Sequence, residues 1–110
     1  MKRRRLLEAA GELRPRWIVF LDADERVDAA DGKALRRFLE TDAIPWCAYG
    51  FQHFRMWGRG RCDPLATYVW RAFAWSPGLE LPGDRLHFDP VPVSIPREAW
   101  LPTTIRVKST

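Results

Sequence analysis

At 110 residues the chain holds one domain at most, and its 46% apolar and 13% aromatic content excludes a disordered segment. The formal charge of +4 sits in residues 1–16, where Lys2, Arg3, Arg4, Arg5, Arg14 and Arg16 meet only Glu8 and Glu12; the neutral remainder argues against a nucleic-acid-binding module. No apolar run reaches the ~18 residues of a membrane span or follows the basic start at signal-peptide length, so a cytoplasmic protein with Cys47 and Cys62 reduced is expected.

Leu6, Ala10 and Leu13 recur at helical spacing and predict a helix from Lys2 to about Leu13, ended by Gly11 and Pro15. Its basic face can reach an anionic membrane surface, although such a face is commonly just solvated. Trp17-Ile18-Val19-Phe20-Leu21 follows, an unbroken apolar run between Pro15 and Asp22. That texture predicts a strand covered on both faces, as in the middle of a parallel sheet. Asp28 or Asp31 can cap a second helix to about Glu40, whose apolar stripe is Ala34, Leu35, Phe38 and Leu39. Helix, buried strand and helix in this order indicate α/β organisation over 1–45.

From Trp46 onward the texture changes to a strand- and loop-rich part, 46–110. Residues 46–57 and 67–75 read as two strands joined by Gly58-Arg59-Gly60-Arg61, with turns at Pro77-Gly78 and Pro82-Gly83-Asp84. Short strands are expected near Leu86–Phe88 and Ile105–Lys108. Six Trp are many for this length; most should pack the core, and one or more can line a groove for a sugar ring.

The chemistry-bearing group is Asp22-Ala23-Asp24-Glu25, placed directly after the apolar strand. Ligands of open α/β sheets gather at the carboxyl ends of strands. Two carboxylates one residue apart can share Mg²⁺ or Mn²⁺, hard ions that take oxygen ligands and pair with diphosphate oxygens. The competing structural role is a turn cap at Asp22, with Asp24 and Glu25 starting the next helix. An Asp-x-Asp pair alone is common; an apolar strand running into it is more specific.

The stretch Trp17 to Val27, with Leu21-Asp22-Ala23-Asp24-Glu25 at its centre, resembles the signature of the family 2 glycosyltransferases. Beyond it, Arg61-Cys62-Asp63, Trp70-Arg71-Ala72-Phe73, Pro77-Gly78-Leu79, Leu86-His87 and Ile105-Arg106-Val107-Lys108 follow that family's order of features more loosely. The resemblance implies a partial GT-A fold, a nucleotide-diphospho-sugar donor, a sugar or lipid-linked acceptor, and Mn²⁺ or Mg²⁺. By the same match Asp24 is the direct metal ligand, Asp22 faces ribose or bridges through water, and His87 is the further ligand. His53, inside the first long strand, matches no motif and is expected to be structural.

Transfer with inversion needs a carboxylate base on the acceptor side, for which Asp89 and Asp63 are the first candidates and Asp84 a third. Arg71, Arg61 and Arg59 can contact phosphate oxygens. Two departures stand out: His87 is followed by Phe88 where relatives often carry Glu, and the family's Rossmann-like nucleotide-binding half has no counterpart here. The resemblance therefore implies a fragment, inactive alone and prone to self-association along the 17–21 strand. An alternative function is a non-catalytic remnant that binds carbohydrate or a protein through its Trp-rich surface.

Overall fold

The computed structural model describes residues 2–57, 61, 67–82 and 89–110. Two helices and five strands form a mixed α/β unit. They are α1 (Lys2–Gly11), β1 (Trp17–Val19), β2 (Glu25–Arg26), α2 (Ala29–Thr41), β3 (Ala48–Arg55), β4 (Thr67–Ala74) and β5 (Trp100–Ser109). A single 3₁₀ turn, Arg97–Ala99, leads into β5. The strands make one sheet in the order β1-β4-β3-β5-β2. Only β3 and β5 run parallel; β1 with β4, β4 with β3, and β5 with β2 are antiparallel.

The position of β1 corrects the expectation of an interior strand in a parallel sheet. It is three residues long, stands at one end of the strand order, and pairs antiparallel with β4 through Trp17↔Ala74, Ile18↔Phe73 and Val19↔Ala72. Its unbroken apolar run has a different cause. Ile18 and Phe20 pack with Leu7 of α1 and Phe73, while Trp17 and Val19 pack against the opposite cluster around Tyr49, Phe51, Ala72 and Val107. Leu35 and Phe38 of α2 cover that second cluster. A run with no polar alternation thus reports helices on both faces, not strands on both sides.

Among the described residues, no strand pairs with the side of β1 that faces away from β4. Arg16 O accepts from Trp75 N–H and Phe20 N–H donates to Arg71 O, both 2.9 Å, with Ile18 opposite Phe73 between them. Backbone groups alternate in direction along a strand, so those of Trp17 and Val19 point away from β4.

Other expectations fare variously. α1, α2, β3 and β4 fall within about two residues of their anticipated spans. The late strand is longer than Ile105–Lys108: β5 starts at Trp100 and carries Pro102, which the pairing with β3 tolerates beside a register shift between Gly50 and Gln52. Gly78 adopts φ 76°, as its turn with Pro77 requires. Under the competing structural reading Asp24 and Glu25 would begin the second helix; Glu25 instead begins β2. Asp28 stands at the N-cap of α2, but its carboxylate does not cap; it goes to Lys108, while Asp31 accepts from Arg106 N–H and Nε at 3.1 and 3.0 Å. Cys47 is buried with a free thiol. The expected strand at Leu86–Phe88, most of the Gly58–Arg61 connection, and the Gly83-Asp84 turn lie outside the described residues.

Gly50 solves a local packing problem. A Cβ there would come within 2.7 Å of the Trp70 ring, so the absence of a side chain lets Trp70 lie against β3. Trp70 continues to Trp100 (centroids 5.6 Å apart) and to Tyr68 (6.1 Å, stacked), and the Arg97 guanidinium sits 4.2 Å from the Trp100 centroid.

Candidate functional site: the acidic turn after β1

Asp22 to Glu25 forms a closed turn at the carboxyl end of β1. Glu25 N–H donates to Asp22 O at 2.9 Å, and Asp22 N–H donates to Glu25 Oε1 at 2.7 Å. The acceptor of the second bond is a carboxylate oxygen, which makes it charge-assisted and fixes the Glu25 rotamer. Glu25 is further held by the backbone pairing of β2 with Ser109 of β5. Asp24 lies between these anchors and is exposed.

A β-bulge brings Arg71 to this turn. On β3, Tyr49 and Gly50 are consecutive, whereas their partners Ala72 and Trp70 on β4 are two apart, so Arg71 is the extra residue. Its side chain is 8% exposed and makes two ion pairs. Nη1 and Nη2 donate to Asp22 Oδ1 and Oδ2 at 3.3 and 3.2 Å, an end-on bidentate pair. Nη2 also donates to Glu25 Oε2 at 3.2 Å, and the Glu25 side chain is only 3% exposed. A buried guanidinium requires such a counterion, since an unpaired charge there would cost several kcal/mol. Arg71 Nε is buried with no hydrogen-bond acceptor among the described protein atoms.

The structure thus joins Asp22 and Arg71, with Asp24 exposed in the same turn. Arg71 was anticipated as a phosphate ligand; its Nη groups are occupied by carboxylates instead. His53 Nε2 lies 3.7 Å from Glu25 Oε2, which puts a residue read as structural at the edge of the cluster. His53 is the member that sequence reasoning missed, and the pairing of Glu25 with Arg71 was not anticipated. The signal for Glu25 was its place in Asp22-Ala23-Asp24-Glu25; His53 is brought close only by the register of β3 against its neighbours.

Asp89 is half-buried, its carbonyl accepts from Val91 N–H at 2.8 Å, and no described hydrogen bond or ion pair connects it to the turn. Arg61 lies 5.9 Å from the Trp57 ring centroid and its carbonyl accepts from Trp57 N–H. Asp63, His87, Asp84 and Arg59 lie outside the described residues. Among the described residues no group of three or more His, Cys, Asp or Glu side chains converges to hold a metal. The turn still suits Mg²⁺ or Mn²⁺ as a partial donor set, because such ions are commonly held by one or two carboxylates with substrate phosphates and water supplying the rest.

No helix among the described residues is long and apolar enough to cross a membrane. No protein-family model matches the chain, and no curated protein or solved structure matches it either.

Proposed function

We propose that this chain is the central-to-C-terminal part of a family 2 glycosyltransferase of the GT-A fold, with Asp22 and Asp24 at the donor diphosphate. The observation that supports this most is the turn itself: two carboxylates at the carboxyl end of β1, one pinned by a buried arginine and the other presented to solvent. A fold-capping turn has no need of a buried Arg71–Glu25 pair behind it. The outer edge of β1 is the natural seat for a strand of the nucleotide-binding half that this family's pattern places upstream.

A divalent cation held at Asp24 would neutralise charge on the departing diphosphate. Asp24 would be the direct ligand, and Asp22, its carboxylate oriented by Arg71, would accept from ribose hydroxyls or ligating water. By the family resemblance His87 would be a further ligand. Asp89 or Asp63 takes the acceptor proton on the opposite side, which gives inversion of the sugar's configuration.

Alone, the chain should transfer no sugar, because the upstream half would supply most contacts to base and ribose and the diphosphate contact is a small, screened part of the binding free energy. Assay of residues 1–110 against a panel of nucleotide sugars tests this; metal-dependent turnover abolished by Asp24→Asn would show a compact enzyme instead. In a longer chain carrying the upstream half, calorimetry should find that Mn²⁺ strengthens nucleotide-diphosphate binding and that Asp24→Asn removes this effect. An equal metal effect in parent and variant would overturn the assignment.

One observation favours the second function, a carbohydrate-binding remnant: Tyr68, Trp70 and Trp100 make a continuous aromatic row with Tyr68 exposed. Sugar binding lost in Trp70→Ala but kept in Asp24→Asn would select it.

A further inference from the structure

We propose that the row of Tyr68, Trp70 and Trp100, with Arg97 stacked at its end, binds a pyranose that carries an anionic group. The sugar ring lies on the aromatics, and its carboxylate or phosphate meets the guanidinium. This rests on the reading of the row as a carbohydrate surface and adds to it the charge class of the sugar.

The bulge in β4 decides where these rings go. Side chains alternate between the two faces of a strand, and an extra residue reverses the alternation beyond it. Without Arg71 as the extra residue, Trp70 and Tyr68 would share the face of Ala72, which lies in the cluster with Tyr49, Phe51 and Val107. With it, Val69 packs against that cluster, while Trp70 and Tyr68 take the face of their partners Gly50 and Gln52. Trp100, opposite Ala48, joins them there. None of the three rings is packed in either core cluster, and Tyr68 is 44% exposed.

The row is nevertheless held. Trp70 occupies the space left by Gly50, where a Cβ would come within 2.7 Å of its ring, and Trp100 Nε1 donates to Ile95 O at 3.2 Å. Rings fixed in advance lose little freedom when a ligand settles on them. The 3₁₀ turn, closed by Ala99 N–H donating to Pro96 O at 2.9 Å, sets the exposed Arg97 guanidinium 4.2 Å from the Trp100 centroid and 6.0 Å from that of Trp70. A guanidinium stacked by its face keeps its edge N–H donors for a carboxylate or phosphate. Arg71, Arg106 and Lys108 each meet an acid, whereas among the described residues Arg97 meets only rings. A neutral sugar would leave that charge unused, and a bare anion would leave the rings unused. An anionic sugar uses both.

The test is a set of titrations of the ¹⁵N-labelled 110-residue chain with methyl β-glucuronide, α-glucosyl phosphate, methyl β-glucoside and inorganic phosphate, read from the Trp indole and Arg97 amide resonances. Both anionic sugars should bind about threefold more tightly than the glucoside at low ionic strength. Added salt should shrink that preference. Arg97→Gln, an exposed change that leaves the rings in place, should erase the preference and keep glucoside binding. Trp70→Ala should abolish binding of all three sugars; if that variant does not fold, Tyr68→Ala at the exposed end of the row should weaken all three. Equal binding of glucuronide and glucoside, or a preference that survives Arg97→Gln, would overturn the inference and leave a neutral carbohydrate surface. Inorganic phosphate binding as tightly as glucosyl phosphate would overturn it in favour of a plain anion contact. No shift with any sugar would overturn the inference together with the carbohydrate surface, and leave the Asp24 site standing.

Discussion

Asp22 and Glu25 after β1, and Asp28 and Asp31 at the start of α2, both meet basic side chains delivered by strands, yet the two clusters are built in opposite ways. At α2 the buried group is a carboxylate. Asp31 accepts from the backbone N–H, Nε and Nη2 of Arg106, whose side chain is half exposed, and Asp28 pairs with Lys108 and, at 3.7 Å, with Arg26. Every acid there is matched, and the cations trail into water. At the turn the cation is buried together with one acid, Glu25, while the other two acids emerge: the Asp22 side chain is 52% exposed and Asp24 is exposed. The first arrangement ties a helix to an edge of the sheet. The second holds negative charge outward from a buried Arg71–Glu25 pair.

The comparison is broken most forcefully at Arg71. Arg71→Met leaves Glu25 buried without its counterion and should destabilise the fold by about 3–5 kcal/mol in urea unfolding. Pairing it with Glu25→Gln should recover much of that loss, because no buried charge then remains. Failure of the paired change to recover stability would mean that packing around the bulge, and not charge, sets the cost.

The α2 cluster should respond less. Asp31→Ala removes a buried acceptor for Arg106 N–H and Nε and should cost about 1–3 kcal/mol, with no effect on cation binding. Weakened Mn²⁺–pyrophosphate binding in that variant would erase the distinction between the two clusters.

How much of this could be read from residue order differs between the clusters. The acidic turn was visible because Trp17–Leu21 and Asp22–Glu25 are contiguous, and a strand running into carboxylates is a local pattern. Arg71 could be singled out only as a phosphate ligand, since its true partners lie 49 and 46 residues away and are reached through a bulge that no local signal announces. The same limit hid the sheet order: the apolar run of β1 encodes covering by α1 and α2 but carries no information about which strand stands beside it. Asp28 was legible as a helix start by its chemistry, while its actual use as a partner for Lys108 is a tertiary fact.

A pH titration sharpens the contrast further. The hydrogen bond from Lys108, helped by its charge and by Arg26 and Arg106, holds the Asp28 carboxyl below its ordinary value of 3.8. A group whose folded pKa is depressed contributes stability that is present above its unfolded pKa and is lost as pH falls through the folded one. Stability should therefore decline as the solution is acidified below about pH 4. Asp28→Asn should flatten that part of the profile; an unchanged acid limb would remove Asp28 from the account. The smallest effect is expected at the exposed Arg36–Glu40 pair on α2, 3.0 Å apart, where Arg36→Ala should change stability by no more than about 0.5 kcal/mol.

The central claim, that the turn and not the α2 cluster is the cation–diphosphate site, is tested most directly by paramagnetic broadening of amide resonances in the ¹⁵N-labelled chain with Mn²⁺ and pyrophosphate. Broadening should centre on Asp22 to Glu25 and extend to Arg71, spare Asp28, Asp31, Arg106 and Lys108, and vanish in Asp24→Asn. Broadening centred on Asp28 and Asp31, or persisting at the turn after Asp24→Asn, would contradict it.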